Sequence, residues 1–455
     1  MKIKIKKIIF VSILLIGSTL ILSGCLKKKT QQIVAIPLEV WGVFDDSDVF
    51  KEINAEFAKQ NPYVSEVKYK KIASSVTDFE TQFVNAMANG TGPDIIYFKN
   101  SWLPKHGDKI VPMPNSAQSL AIFKKQFVDV AYRDFVYKNY IYAKPLYCDT
   151  LALYYNNDLL KQAGIILPPQ TWVELQKQVR LLTKIDKYGN IKQSGIALGR
   201  SENPGAVNRA GDIVMLMMMQ NGGLMNQDGT SLKADLISSK FNGVSAGQKA
   251  LDFFVSFSDG ASPNYTWNTK QDYSIDSFRY GRTAMMINYS YWYDRLKRSD
   301  PKLDFNIAPV PQTGLNDNNK VNYASYWGLA VVKNKKINNK NYTENDRVNR
   351  AWSYINFITN TKSQNKGYDA MAKYLKKSHK PPIRRDLIEA YKSDLIMGVF
   401  AKQALTAKSW RQVDNNAIDK IFKEMIDAVN RGAMVVSEAV QIAEERINSL
   451  VRVKK

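Results

Sequence analysis

Leu38-Glu39-Val40-Trp41-Gly42, Val64-Ser65-Glu66-Val67-Lys68-Tyr69 and Pro93-Asp94-Ile95-Ile96-Tyr97-Phe98 are three short apolar stretches, and what lies between them decides the fold class. Each reads as a strand, with side chains directed to alternate faces. Between the first two, Val49, Ile53 and Phe57 recur four apart with Phe50 beside them, a helical stripe that Asn61-Pro62 stops. Between the second and third, Phe79, Phe83, Val84 and Met87 form another stripe. It ends at Asn89-Gly90, where glycine supplies a left-handed cap. Strands alternating with helices predict an α/β fold whose sheet is mostly parallel and covered on both faces.

The same grammar recurs downstream. Leu151-Ala152-Leu153-Tyr154-Tyr155 reads as a strand, and Asn156-Asn157-Asp158 as a turn and helix start. Thr171 with Glu174 makes a Thr-x-x-Glu capping box, after which Trp172, Leu175, Val179 and Leu182 share a helical face. Asp186 to Asn190 and Asp228-Gly229 are turn signals. Toward the end, Ile418, Ile421, Phe422, Met425, Ile426 and Val429 share a face, Gly432 breaks it, and Ser437 opens a last helix. Met215, Met217, Met218 and Met219 read as a buried helix, and Trp172, Trp352, Tyr354 and Phe357 as packing on helices.

The amino terminus carries a different message. Lys2, Lys4, Lys6 and Lys7 precede an uncharged run over residues 8–22. A bilayer-spanning helix needs about 20 residues; this run is shorter and fits the apolar part of a signal peptide. It ends in Leu22-Ser23-Gly24-Cys25, which resembles a bacterial lipobox. The expectation is a signal peptide over 1–24, a lipid on the Cys25 thiol, a polar tether over 25–32, and a mature chain held on the outer side of a bacterial membrane.

Composition narrows the function. The chain of 455 residues is 45% hydrophobic and 23% charged, a globular composition long enough for more than one core. Apart from Cys25 the only cysteine is Cys148, and the only histidines are His106 and His379. That argues against a His/Cys metal cluster and a Cys-His catalytic pair, and neither metal nor cofactor is expected. The net charge is +22, or +18 without Lys2, Lys4, Lys6 and Lys7. The basic residues are spread, with small runs at Lys27–Lys29, Lys335–Lys336, Lys376–Lys377 and Lys454–Lys455, and no nucleic-acid module accompanies them. They read as a solvated basic surface facing an anionic membrane, with no nucleic-acid partner.

Several stretches together resemble the bacterial extracellular solute-binding proteins of family 1, the sugar-binding components of ABC importers. They are Trp41, Phe57 to Pro62, Gly90 to Ile96, and Tyr142 to Pro145 leading into Leu153 to Leu160. Ala163-Gly164-Ile165, Pro168 to Leu175, Phe278 to Met286, Ile307 to Pro311 and Ala351 to Phe357 complete the set. Their order across nearly the whole mature chain carries the resemblance. It implies a two-lobe, type II periplasmic-binding-protein-like fold, with a solute buried between lobes that close by small rotations at a hinge. By analogy, lobe 1 takes residues 33–145 and 287–331, and lobe 2 takes 146–286 and 332–455. Crossings are expected near Lys144–Asp149, Ala284–Asn288 and Val331–Asn334. The implied partners are a small solute, carbohydrate first, and membrane permease subunits; the implied state is a monomer.

A sugar offers C–H faces that stack on rings and hydroxyls that need donors and acceptors. Loops and strand ends carry such groups in α/β folds. The candidates are therefore Trp41, Asp45 and Asp46 after the first strand, Tyr97 and Trp102 around the third, and Tyr147 and Asp149 at the first crossing. Asn288, Tyr289, Tyr291 and Trp292 follow the Ala284-Met285-Met286 strand, while Tyr326 and Trp327 precede a final one. Trp267 is expected to cap the cleft. The resemblance adds Trp410 as a stacking ring and Arg384 as a closing residue.

Four rival readings stand beside the sugar carrier. A glycoside-cleaving enzyme needs two carboxylates at a set separation, which the 42 acidic residues do not single out. A polyamine carrier needs an acidic, aromatic cleft, which Asp45, Asp46 and Asp149 leave open. An iron carrier with paired tyrosines is disfavoured, because Tyr154 and Tyr155 in a strand face opposite ways. A surface lipoprotein used for adhesion is the remaining alternative.

Overall fold

The computed structural model describes residues 34–227, 231–238, 240–241, 243–316, 319–333 and 342–453. The expected signal peptide, Cys25 and the expected tether lie outside the described residues. So do Lys27–Lys29, the Asp228-Gly229 turn, Asn334, Lys335–Lys336 and Lys454–Lys455.

The chain opens as β1 (Ile36–Gly42), α1 (Ser47–Gln60), β2 (Val64–Lys71), α2 (Val76–Asn89) and β3 (Ile95–Lys99). The first helical stripe does what its spacing predicts, burying Val49, Phe50, Ile53 and Phe57 from α1; in the second, Phe79 and Phe83 turn inward from α2 while Val84 stays exposed and Met87 half-buried. Gly90 ends α2 in the left-handed region at φ 68°, its N–H bonded to the last-turn carbonyls. Two short strands follow, β4 (Ile110–Val111) and β5 (Lys144–Pro145).

The second lobe begins with β6 (Ala152–Asn156), then α3 (Trp172–Leu182), whose capping box forms between Thr171 and Glu174 as expected. The methionine-rich α4 (Ala210–Gln220) is buried over almost its whole length. Then come β7 (Met285–Asn288), α5 (Tyr291–Ser299) and β8 (Phe305–Pro309). β7 and β8 flank β6, both antiparallel to it. Tyr154 is buried under this sheet while Tyr155 is half-buried on its other face.

The chain then returns to the first lobe through β9 (Trp327–Val332), α6 (Glu344–Thr359) and α7 (Ala370–Ser378). β9 inserts antiparallel beside β3, giving the order β2-β1-β3-β9-β4, with β5 also on β9. β1 pairs β2 and β3 in parallel. Two helices close the chain in the second lobe, α8 (Asn415–Asn430) and α9 (Val436–Val453).

Two hydrophobic clusters define the lobes. One gathers residues from Ile36 to Cys148, Ala324 to Ile388 and Ala401 to Ala407, and the other residues from Leu151 to Tyr323, Phe400, and Trp410 to Ile447. The first division, between Cys148 and Leu151, falls at the end of the expected Lys144–Asp149 crossing, while the later ones fall at other points than those expected from the resemblance. Residues 287–323 pack in the second lobe, because β7 and β8 need β6 as their partner. Residues 332–388 pack in the first, where Trp352, Tyr354 and Phe357 of α6 cover the sheet. Val331, expected at a crossing, is fully buried inside the first sheet.

The crossings instead run side by side. Thr150 and Ala324 form an antiparallel bridge, and Asn322-Tyr323 pairs in parallel with Ala407-Lys408. Gln403 knits them: its side-chain N–H donates to Thr150 Oγ1 at 2.9 Å and to the Leu151 carbonyl at 3.0 Å, and its oxygen accepts from Val310 N–H at 2.9 Å. Hydrogen-bonded extended segments of this kind bend by small backbone rotations while the lobes stay rigid.

Candidate functional site

Between the lobes lies a cavity of about 730 Å³. Its first-lobe wall is the carboxyl edge of the parallel strands: Phe44 and Asp45 follow β1, Lys99 to Ser101 close β3, and Trp327 opens β9 on the same edge. Parallel α/β sheets present their ligand sites here, because the loops leave the strands at this edge with their side chains free. The second-lobe wall is made by the start of α4 with Arg209, Asp212 and Met215, by Tyr289 and Tyr291 after β7, and by Trp410 ahead of α8.

The carboxylates are held by neutral donors. Asp45 Oδ2 accepts from the Tyr97 hydroxyl at 2.6 Å and the Tyr374 hydroxyl at 2.9 Å. Asp149 accepts from the Ser290 N–H and hydroxyl, both at 2.9 Å, and burial pushes its carboxyl up to about 6 against those bonds and the Lys380 charge. Asp212 accepts from the Tyr289 hydroxyl at 2.8 Å; burial raises its carboxyl, opposed by Arg209 and Lys99.

The aromatic surface has two parts. Trp327 packs edge-on against Phe44 at 5.6 Å and Trp102 at 5.2 Å, which fixes its ring at the first-lobe wall. Tyr289 and Tyr291 stack at 6.2 Å in the second, and Trp410 donates its indole N–H to Met215 Sδ at 3.1 Å. Rings locked by their neighbours present a flat face at little entropic cost.

Eight of the residues expected at a site line this cavity: Asp45, Asp46, Tyr147, Asp149, Tyr289, Tyr291, Trp327 and Trp410. Eight lie away from it. Tyr97 and Trp102 are wholly buried behind the wall, Tyr97 supporting Asp45 and Trp102 stacking on Phe79 at 6.1 Å. Trp41 lies half-buried against the first core, its indole N–H bonded to Glu39. Trp267 is buried in the second lobe with its N–H on the Gly205 carbonyl at 2.7 Å. Asn288 bonds Asn208 at 3.0 Å, and Trp292 tilts against Tyr291 at 5.7 Å. Tyr326 is buried on Asp134 at 2.7 Å. Arg384 is buried in the first lobe as a structural cation, paired with Asp369 at 2.6 Å and Asp386 at 2.7 Å, so its charge is spent far from any closing role.

Sequence reasoning missed Lys99, Arg209, Asp212 and Lys380 on the cavity wall. Lys99 stands one residue past the strand whose end drew attention to Tyr97, so the strand-end rule extended from rings to cations would have found it. Arg209 precedes a helical run whose one charge is Asp212 and adopts φ 63°, a conformation rare for a side-chain-bearing residue and frequent at functional sites.

Two lobes, a hinge of adjacent crossing segments and an aromatic, hydrogen-bonding chamber between them define a cleft-type binding protein. The model of the bacterial extracellular solute-binding protein family matches residues 43–365, and the chain belongs to that family. Membership places it outside the cytoplasm, at the cell surface or in the periplasm. Among the described residues no helix is long and apolar enough to cross a membrane. A protein of Brucella abortus (strain 2308) named "Putative binding protein" is 23% identical over 409 residues, 86% of this chain and 89% of the relative.

Among solved structures, the sugar-binding protein MalE from Xanthomonas citri matches with a TM-score of 0.70 at 19% identity, over 92% of this chain and 98% of that one. The GacH receptor of Streptomyces glaucescens GLA.O, solved unliganded and with acarbose, matches with a TM-score of 0.67 at 16% identity, over 92% and 99%. The cyclic alpha-maltosyl-1,6-maltose binding protein from Arthrobacter globiformis matches with a TM-score of 0.69 at 18% identity, over 91% and 99%. At these identities the likeness is one of fold. The family and these neighbours are binding proteins rather than enzymes.

Proposed function

We propose that this chain is the substrate-binding lipoprotein of an ABC importer, capturing a sugar or oligosaccharide between its lobes and delivering it to membrane permease subunits. The observation that carries the reading is the pairing, in one cavity, of fixed rings with polar groups on opposing walls: Trp327 with Asp45, and Trp410 and Tyr289 with Asp212. Rings take the C–H faces of a sugar, and carboxylates and cations make charge-assisted hydrogen bonds to hydroxyls. A solute touching both lobes shifts the balance toward the closed form, which a permease can distinguish from the open one. Lipid anchoring at Cys25 rests on the lipobox-like stretch of the sequence and completes the assignment.

Calorimetry on the purified chain in mild detergent, against mono- and oligosaccharides, amino acids and polyamines, tests the reading. Saturable saccharide binding without product formation supports it. A response confined to polyamines redirects it to that class of carrier, and turnover of the saccharide sinks it. Incorporation of labelled fatty acid, lost in Cys25→Ala, tests the anchor.

A further inference from the structure

Six cationic side chains line the cleft: Lys99, Arg209, Arg295, Arg298, Lys377 and Lys380. Among the described residues none of the six forms an ion pair with a carboxylate. The acidic lining residues are placed differently. Asp45, Asp149 and Asp212 are taken by tyrosine or serine donors, Asp46 pairs with Lys71, Asp294 with His379 and Asp419 with Lys423. Among the described residues only the Asp48 carboxylate lines the cleft without a side-chain partner, so the cleft offers cations outside any ion pair beside carboxylates most of which already have partners.

Two of these cations are set against each other. Lys99, half-buried at the end of β3, comes from the first lobe, and Arg209, at the start of α4, comes from the second. Among the described residues Lys99 Nζ makes no side-chain hydrogen bond, and the Arg209 guanidinium donates only to the Tyr291 hydroxyl, at 3.2 and 3.4 Å, and lies over the Tyr289 ring at 5.6 Å. Burial lowers the Lys99 ammonium's affinity for its proton, Asp212 opposes that, and the Arg209 charge adds to the lowering, so the two cations feel each other across the cleft. Arg209 is open to solvent in the cavity, yet its walls dehydrate it; the Tyr291 oxygen and Asp212 counter that loss and hold its affinity for the proton high. Asp212 is the one carboxylate that acts on both cations, while Asp419 and Glu80, which also act on Lys99, are paired with Lys423 and Lys105; two cations to one carboxylate leave a net positive charge in a space with little water, a cost that a bound negative charge offsets.

We infer that the solute held in this cleft carries an anionic group, a carboxylate or a phosphate, which docks between Lys99 of the first lobe and Arg209 of the second. The inference deepens the reading of the cleft as a saccharide site and rests on it. The guanidinium presents a planar fork to two oxygens while the ammonium adds a point charge from the facing wall, and Trp327 and Trp410 are left for the uncharged body of the molecule.

The test is calorimetry on the full chain in detergent with three probes: trigalacturonate, maltotriose and glycerol phosphate, each at low and high salt. The expected result is preference for trigalacturonate over maltotriose by about tenfold or more, diminished by salt. Lys99→Met is expected to collapse that ratio, while Lys99→Arg, which keeps the charge and guards against a folding artefact, retains it. Tighter or equal binding of maltotriose, or a ratio unmoved by Lys99→Met, overturns the inference and leaves the saccharide reading standing. Capture of glycerol phosphate with neither saccharide keeps the anion and overturns the saccharide. Binding of none of the three overturns both.

Discussion

The Lys105 ammonium reaches from one lobe to the other: its Nζ lies 2.7 Å from Asp414 Oδ2 in the second lobe and 2.7 Å from Glu80 Oε1 in its own. Glu80 also accepts from His106 Nε2 at 2.7 Å and from Asn416 Nδ2, across the cleft, at 3.1 Å. Against a burial penalty that would raise it, the His106 and Lys105 hydrogen bonds hold the Glu80 carboxyl down at about 2. A second contact between the lobes joins His379 Nδ1 to Asp294 Oδ2 at 3.0 Å. These bonds exist only when the lobes are together, so their free energy belongs to the closed form.

Removing one of them should therefore tilt the hinge rather than unfold the chain. Asp414→Asn is expected to weaken solute binding by about two- to tenfold, the worth of a partly buried charged hydrogen bond. The loss should appear in the dissociation rate, because the encounter uses the open form. Stopped-flow fluorescence separates the two rates. A slower association with unchanged dissociation would show that the clasp does not govern closure.

Trp410 is the ring with most to lose. It lines the main cavity and, together with Asn100, also a neighbouring space of about 600 Å³ bordered by Tyr137, Tyr142 and Leu232. Trp410→Ala should cost solute affinity about tenfold or more, in the range of buried aromatic anchors. It should cost longer oligosaccharides more than short ones, since both spaces meet at its ring. Equal losses for a disaccharide and a tetrasaccharide in a calorimetric series would confine the ligand to the main cavity.

Asp149 ties the hinge to pH. Its carboxyl, lifted to about 6 by burial, holds a proton in the folded chain that the unfolded chain releases near its ordinary value of about 4. Between those limits the folded state binds more protons than the unfolded one, so stability falls as pH rises through the window, by up to about 3 kcal/mol in all. Asp149→Asn cannot ionise. The Tm of the natural chain relative to this variant should drop as pH is raised from about 4 to about 6 and level off above about 7. A constant difference across that range would mean that Asp149 is ionised throughout.

The opening βαβαβ unit was legible because its helices keep a four-residue apolar stripe and its strands are bounded by Asn61-Pro62 and Asn89-Gly90, signals that act locally. The lobe boundaries were not. Whether Met285 to Asn288 stays in the second lobe depends on pairing with Ala152 to Asn156 from more than a hundred residues earlier, which no local pattern encodes. The site divides the same way. Asp45, Tyr147 and Tyr289 follow strand ends and Trp327 opens one, and all four line the cavity, whereas Tyr97 near a strand end and Trp267 in a polar loop turn inward to hydrogen-bond partners that only the folded chain supplies. Arg384 failed for the opposite reason: Asp369 and Asp386 neutralise it, and the turn that brings Asp369 to it lies fifteen residues away.

Lys144 makes the sharpest prediction for stability. It is wholly buried beside the hinge, with Nζ donating to Oδ1 of Asn356 and of Asn360 at 3.2 Å each, and among the described residues it forms no ion pair with a carboxylate. Burial, reinforced by the nearby Arg384 charge, pushes its ammonium down to about 7. An unfolded lysine stays protonated until about pH 10.4. Between those values the unfolded chain binds the extra proton, so stability contributed by this site rises with pH above about 7, by roughly 1.4 kcal/mol per unit. Lys144→Met keeps the stem and removes the charge. Urea denaturation at a series of pH values from about 6 to about 9 should show the natural chain gaining on the variant as pH rises, while the variant is the more stable of the two at the acid end, where the natural chain must bury an ammonium on two amide oxygens. Parallel stability profiles for the two proteins would mean that Lys144 keeps an ordinary proton affinity inside the first lobe.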